Sequence, residues 1–240
     1  VCFSDPNQGV EAAKYIAGHK LATKVAIIYD NSDPYSTGIY ESFKAEAATQ
    51  KLEIVAANAF NADNKTDFSV QIQKAKDAGA DMIFLPIYYS EASLILKQTS
   101  SVAGFSPKFF GCDGMDGILA LDNFDAKLAE GLMFMTPFDA ASSDETIKTF
   151  VDNFNSKYGH TPNQFAADAY DAIYIIKDAC EKAGVKDGIS NSDLCDALKD
   201  ALTKVSFNGV TGKNVVWEAN GEPNKEPSVL QIKDGKYVTA

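Results

Sequence analysis

Apolar positions along the first 136 residues alternate between two periods. Val25–Tyr29 is a short unbroken apolar run of the kind buried on both faces of a parallel sheet. Before it, Val10, Ala13, Tyr15, Ile16 and Ala17 recur at helical spacing across Gln8–Lys20. After it, the turn-rich Asp30-Asn31-Ser32-Asp33-Pro34 leads into a second helical pattern over Thr37–Gln50. The cycle repeats: strand Glu53–Ala57 and helix Asp67–Asp77, strand Asp81–Ile87 and helix Glu91–Ala103. Strand Lys108–Gly111 is followed by a short helix near Gly117–Asp122, and strand Gly131–Thr136 closes the series. This spacing predicts β-α-β units around a parallel sheet, an α/β fold.

From Pro137 the period changes. Thr146–Lys157, Phe165–Ala183 and Ser192–Lys204 read as helices with no apolar strand between them, and Phe150, Phe154 and Tyr158 form one apolar stripe. The tail returns to β, with strands predicted at Asn214–Glu218, Ser228–Ile232 and Tyr237–Thr239, the last two joined at Asp234-Gly235. Three amphipathic helices without strands of their own must cover the first sheet, a sheet of another chain, or a sheet outside this sequence.

Composition narrows the function. The chain has 240 residues, with 33 acidic against 22 basic and a net charge of -11. Every basic residue is lysine. An acidic chain without arginine lacks the usual phosphate and base contacts, so nucleic acid is not an expected partner. The bidentate clamp for carboxylates is missing too. Cys2, Cys112, Cys180 and Cys195 have no C-x-x-C spacing and read as buried small hydrophobes; whether Cys180 and Cys195 pair is left open. No G-x-G-x-x-G, G-x-x-x-x-G-K-[ST] or G-x-S-x-G motif is present. His19 and His160 stand apart from any ligand cluster, and no metal or cofactor is expected.

Loops at the carboxyl ends of parallel strands are where open α/β sheets bind ligands. Three stand out: Asp30–Gly38 with Tyr35, Tyr88-Tyr89-Ser90, and Gly111-Cys112-Asp113-Gly114-Met115-Asp116-Gly117. By pattern alone, Asp113 and Asp116 read as solvated turn residues or helix caps, the tyrosines as rim packing, and Phe165 as core.

Phe3-Ser4-Asp5-Pro6-Asn7-Gln8-Gly9 resembles the entry to the second lobe of type I periplasmic binding proteins, in the branched-chain amino-acid-binding branch that serves ABC importers. The likeness continues through Tyr35-Ser36-Thr37-Gly38, Thr66-Asp67-Phe68-Ser69, Tyr88-Tyr89-Ser90-Glu91, Gly111-Cys112-Asp113-Gly114, Ala129-Glu130-Gly131-Leu132 and Ala169-Tyr170-Asp171-Ala172. The resemblance implies a two-lobe α/β clamp that closes on a small ligand without chemistry. Residues 6–136 and 223–240 would form lobe two, residues 137–215 the helical part of lobe one, and 1–5, 135–139 and 216–222 the hinge passages. It implies Asp113 as the holder of a ligand α-ammonium, Tyr35 and Tyr88 as the second-lobe wall, and Phe165 near the hinge. The implied ligand is an amino acid, branched-chain or otherwise apolar, and the implied partner a membrane permease. The implied location is outside the cytoplasmic membrane, periplasmic or lipid-anchored. On that template the first part of lobe one is absent. The chain is therefore expected to be a fragment, completed by an N-terminal piece or self-associated. A ligand sensor of the same fold, or an α/β enzyme with an unrecognised site, is the competing reading.

Overall fold

The computed structural model describes residues 1–240 and divides the chain into two compact units. The first comprises Asp5–Thr136 with Pro227–Ala240, the second Val1–Ser4 with Pro137–Glu226. The chain therefore passes between them three times, at Ser4–Asp5, Thr136–Pro137 and Glu226–Pro227.

The first unit is built on a seven-stranded sheet in the order β2-β1-β3-β4-β5-β6-β7. Its strands are β1 (Lys24–Asp30), β2 (Glu53–Phe60), β3 (Met82–Leu85), β4 (Lys108–Gly111), β5 (Met133–Thr136), β6 (Ser228–Lys233) and β7 (Lys236–Thr239). The first five run parallel, while β5 pairs antiparallel with β6, and β6 with β7. The sheet expected to be parallel is thus mixed. The hairpin at Asp234-Gly235, both at positive φ, turns the chain back along its own edge.

Four helices flank this sheet: α1 (Asp5–Gly18), α2 (Pro34–Gln50), α3 (Ser69–Asp77) and α4 (Tyr89–Ser100). Successive strand side chains point to opposite faces. Accordingly Phe84 stacks on Phe43 of α2 with ring centroids 4.1 Å apart, and Phe110 meets Tyr15 of α1 at 5.8 Å. Ile83 and Leu85 join the opposite core with Ile72 of α3 and Ile95 of α4.

Helices α1 and α2 pack closely because Gly9 has no side chain. A Cβ there would overlap the Ile39 carbonyl oxygen and come within 2.7 Å of Phe43 N and 2.9 Å of Ser42 Cβ. All three are in a helix that cannot yield locally. Gly9→Ala is expected to destabilise the protein by about 2–3 kcal/mol, lowering the thermal midpoint by roughly 5–10 °C. A calorimetric scan within ~1 °C of wild type would refute the close packing.

The second unit holds α5 (Glu145–Tyr158), α6 (Gln164–Ala183) and α7 (Asn191–Leu202). Asp144, Asn163 and Ser190 cap their N-termini through side-chain oxygens, and Gly159 and Gly184 end the first two in the left-handed conformation. Ile175, Ala179, Ala201, Val205 and Phe207 form one small core, and Phe138, Phe150, Ala167 and Val210 another. The expected strand Asn214–Glu218 does not form. Only single bridges, Phe207 to Val215 and Trp217 to Pro223, link this stretch. The amides of Val210 and Thr211, beside the first bridge, are taken by the Asp171 carboxylate rather than by a ladder. Pro223, in the second, has no N–H to donate.

Along α6, Ile173 is 67 % exposed, with Tyr170, Tyr174 and Ile176 also open to solvent. No disulfide joins the four cysteines, and only Cys112 is buried, so the reading of the others as core residues fails. Cys195 lies exposed on α7.

Candidate functional site

The order β2-β1-β3-β4 places a reversal of winding between β1 and β3, the position at which open α/β sheets form a crevice beyond the strand ends. The loops leaving β1, β3 and β4 converge there. After β1, Asp33 caps α2 by accepting the Tyr35 N–H at 3.0 Å, and Pro34 starts the helix with its preset φ. After β3, Tyr88 precedes the first residue of α4 in extended conformation. After β4, Asp113–Met115 forms a single 3-10 turn.

These three loops are joined through one hydroxyl. Tyr35 Oη donates to Asp113 Oδ1 at 2.7 Å and accepts the Gly114 N–H at 3.0 Å. The Tyr35 ring stacks on Tyr88 with centroids 4.7 Å apart. Gly114 has to be glycine, because a Cβ would lie 2.8 Å from both the Ile87 carbonyl and Tyr35 Oη. From α1, the fully buried Gln8 accepts the Asp113 N–H at 3.0 Å. The acid is thus held through its backbone and its side chain by groups from two other elements.

Asp113 is only 8 % exposed and Asp116 4 %, so neither is the solvated turn residue that the local pattern suggests. Asp116 sits near Tyr237, whose hydroxyl accepts the Gly117 and Leu119 amides; burial and this carboxylate push the tyrosine up to about 12. Two further carboxylates, Asp5 and Asp33, lie close enough to act on the same loop. Burial, then Asp113 and then Asp33 push Asp5 up to about 6. Burial and Asp113 likewise raise Tyr35 and Cys112 well above their ordinary values, keeping both neutral. Asp30 behaves differently. Lys65 pairs with it at 2.7 Å and Ser32 donates to it twice, so its carboxyl stays below the usual range despite burial.

Three sequence-selected residues, Tyr35, Tyr88 and Asp113, therefore share one site. Phe165 belongs to the other unit, on the first turn of α6, and is 39 % exposed rather than core. Asp5, Gln8 and Asp33 were not singled out. Asp33 carried a signal as an N-cap before proline, whereas the helical position of Gln8 carried none.

An acidic crevice with an aromatic wall, at the switch point of an α/β sheet, suits a small organic cation or zwitterion. Comparison with known proteins specifies the lineage. The sequence profile of the family described as periplasmic binding protein matches residues 1–236.

The chain belongs to this family. Among its curated relatives, the leucine-, isoleucine-, valine-, threonine- and alanine-binding protein of Pseudomonas aeruginosa is 28 % identical over 218 residues, covering 91 % of this chain and 55 % of that protein. Among solved structures, the leucine-binding protein LivK of Thermotoga maritima superposes with a TM-score of 0.87 at 29 % identity, over all of this chain and 66 % of that one. LivJ of Streptococcus pneumoniae, solved with isoleucine, gives 0.82 at 29 % identity over 98 % and 64 %. The chain thus spans a little over half the length of its curated relatives. These periplasmic binding proteins are named for binding, not for catalysis.

Proposed function

We propose that this chain supplies the ammonium-holding wall of a solute-binding protein, which captures an apolar α-amino acid outside the cytoplasmic membrane and delivers it to the permease of an ABC importer. The observation that carries this reading is the Asp113 carboxylate, buried and locked by Tyr35 and Gln8 at the switch point. A carboxylate kept from water is stabilised by a cation placed against it, and further carboxylates nearby favour an ammonium over any anionic group. Tyr35 and Tyr88 offer an aromatic surface to the ligand's Cα side, and Phe165 is assigned a place near the hinge. Isoleucine in the LivJ complex is a ligand of this class. Capture needs no chemistry.

In this reading the three passages between units are hinges about which two lobes close. The open face of α6 is covered by a sheet contributed by a preceding segment of lobe one, rather than by a second copy. The relatives' greater length supports that assignment. Light scattering on the protein as its cell makes it, including any preceding segment, is expected to give a monomer. A dimer that dissociates when Ile173 is changed to Asp would favour self-association.

Calorimetric titration with L-leucine, L-isoleucine and L-valine tests the function directly. Binding of at least one, with no binding of 4-methylpentanoate (leucine without its ammonium), is expected. Equal affinity for the acid lacking the ammonium would overturn the assignment.

Tyr35→Phe tests the lock. It removes the bond to Asp113 and strands the Gly114 amide, so stability should fall by about 1–2 kcal/mol and affinity for the best ligand roughly tenfold. Unchanged affinity in the folded variant would show that the hydroxyl does not position the acid.

A further inference from the structure

Lys65 stands in the loop between β2 and α3, and that loop is pinned to its surroundings. Gln98 of α4 donates to the Thr66 carbonyl at 2.9 Å and accepts the Phe68 N–H at 2.8 Å. Phe68 packs edge-on against Phe60, at the end of β2, with ring centroids 5.0 Å apart. The lysine is thereby delivered to a fixed place. Its Nζ donates to Asp30 Oδ2 at 2.7 Å and lies 3.9 Å from Glu91 Oε1.

These two carboxylates belong to the segments that carry the tyrosine wall. Asp30 ends β1, and its N–H donates at 2.9 Å to the Oγ of Ser36, which is fully buried in the first turn of α2 beside Tyr35 in sequence. Glu91 sits in the first turn of α4, directly after Tyr88 and its neighbours. The path Ser36–Asp30–Lys65–Glu91 therefore joins the helix start of one tyrosine to that of the other. Lys65, Asp30 and Glu91 also share with Asp33, Ser36 and Tyr88 the lining of one cavity of about 10 Å³. That is room for no more than one water, so no ligand fits between the ion pair and Tyr88.

An ion pair on an open surface would contribute little. Here the Asp30 side chain is only 4 % exposed, and Ser32 donates to it through both its N–H and its hydroxyl, so the carboxylate is fixed and Lys65 is its counter-charge.

We propose that Lys65 is a positioning residue for capture: by tying the end of β1 to the first turn of α4, it sets the Tyr88 ring against Tyr35 before a ligand arrives. This rests on the reading of the two tyrosines as a ligand wall and adds the residue that holds the wall in place. Groups ordered in advance lose no freedom on binding, which strengthens affinity without any new contact. Tyr88 is 42 % exposed, with Tyr35 stacked on its ring, so its direction depends on where the start of α4 is held. Without the lysine, Asp30, Asp33 and Glu91 remain as three carboxylates about one cavity, and their repulsion pushes the start of α4 away from the end of β1.

Lys65→Met keeps the apolar stem and removes the charge. Calorimetric titration with L-leucine, or with L-isoleucine or L-valine if leucine does not bind, on the protein as its cell makes it, should give affinity about tenfold weaker. Lys65→Arg, which keeps the charge, should stay within about threefold of wild type. A double-mutant cycle on affinity separates positioning from a general loss of structure. In Tyr88→Leu, which has no ring to position, adding Lys65→Met should weaken binding by less than about twofold. Unchanged affinity in folded Lys65→Met overturns the proposal, and so does a full loss that persists in the Tyr88→Leu background. If Lys65→Met fails to fold, Glu91→Gln replaces it: binding about threefold weaker is expected, with the effect gone in Tyr88→Leu, and wild-type affinity overturns the proposal. Failure of the wild-type protein to bind any of the three amino acids removes the ligand-wall reading itself, and this proposal with it. Binding by wild type and Lys65→Met alike removes only the role of Lys65.

Discussion

Asp113→Ala is expected to weaken capture of the best amino-acid ligand by at least a hundredfold, the largest effect on binding of any single change in this site. Removing one partner of a buried ion pair costs roughly 3–5 kcal/mol, which corresponds to about two to three orders of magnitude in Kd. The loss should appear in affinity more than in folding. The variant also loses the Tyr35–Asp113 hydrogen bond, so a modest fall in thermal midpoint, of about 1–2 kcal/mol in stability, should accompany the much larger loss in affinity. Wild-type affinity for L-leucine, L-isoleucine and L-valine in Asp113→Ala, measured by calorimetry, would sink the assignment.

The largest expected effect on stability lies in the other unit. Asp171 on α6 is 1 % exposed and accepts three hydrogen bonds: from Val210 N at 3.0 Å, Thr211 N at 2.8 Å and Thr211 Oγ1 at 2.6 Å. Lys225 donates in turn to Thr211 Oγ1 at 2.6 Å and is only 8 % exposed. Burial lowers its pKa, while Asp168, then Cys2 and Asp171, work to keep it charged. Asp171→Ala leaves two enclosed backbone amides without acceptors and removes part of the negative charge that holds the lysine. About 3–5 kcal/mol of stability should be lost, read from the urea midpoint with the slope unchanged. Asp171→Asn should recover part of it, since one amide oxygen still accepts. A loss below ~1 kcal/mol for the alanine variant would show that water or a rearranged turn replaces the carboxylate.

Much of the architecture was legible because the signal is local. Val25–Tyr29 and Met82–Leu85 are unbroken apolar runs, and each became a strand of the parallel part of the sheet. The three long helices of the second unit were visible from their apolar stripe and appear within a residue or two of the expected ends. The strand Asn214–Glu218 was misread for the same reason. Alternation at Val215 and Trp217 is a local pattern, but a strand needs a continuous partner, and here the amides of Asn214 and Val216 go to the side chains of Asn208 and Asn224, leaving only single bridges.

The candidate site divides along the same line. Tyr35, Tyr88 and Asp113 could be singled out from their places after strands and from the family resemblance. That Asp113 is enclosed could not, since a glycine-flanked acid looks the same whether it faces water or Tyr35. Asp5 gave no sign at all. Its carboxyl is raised first by burial and then by Asp113 and Asp33, none of which a local pattern shows.

By itself, then, the sequence determined the order of strands and helices, the change of pattern at Pro137, the absence of any arginine clamp, and the residues available at the strand ends. Those properties depend on neighbours a few positions away or on composition alone. Only the tertiary structure decided which carboxylates share a crevice, which of them is neutralised by Lys65, and which hydroxyl holds Asp113. Burial and charge interaction depend on distance through space, and the distances are set by the winding order of the sheet.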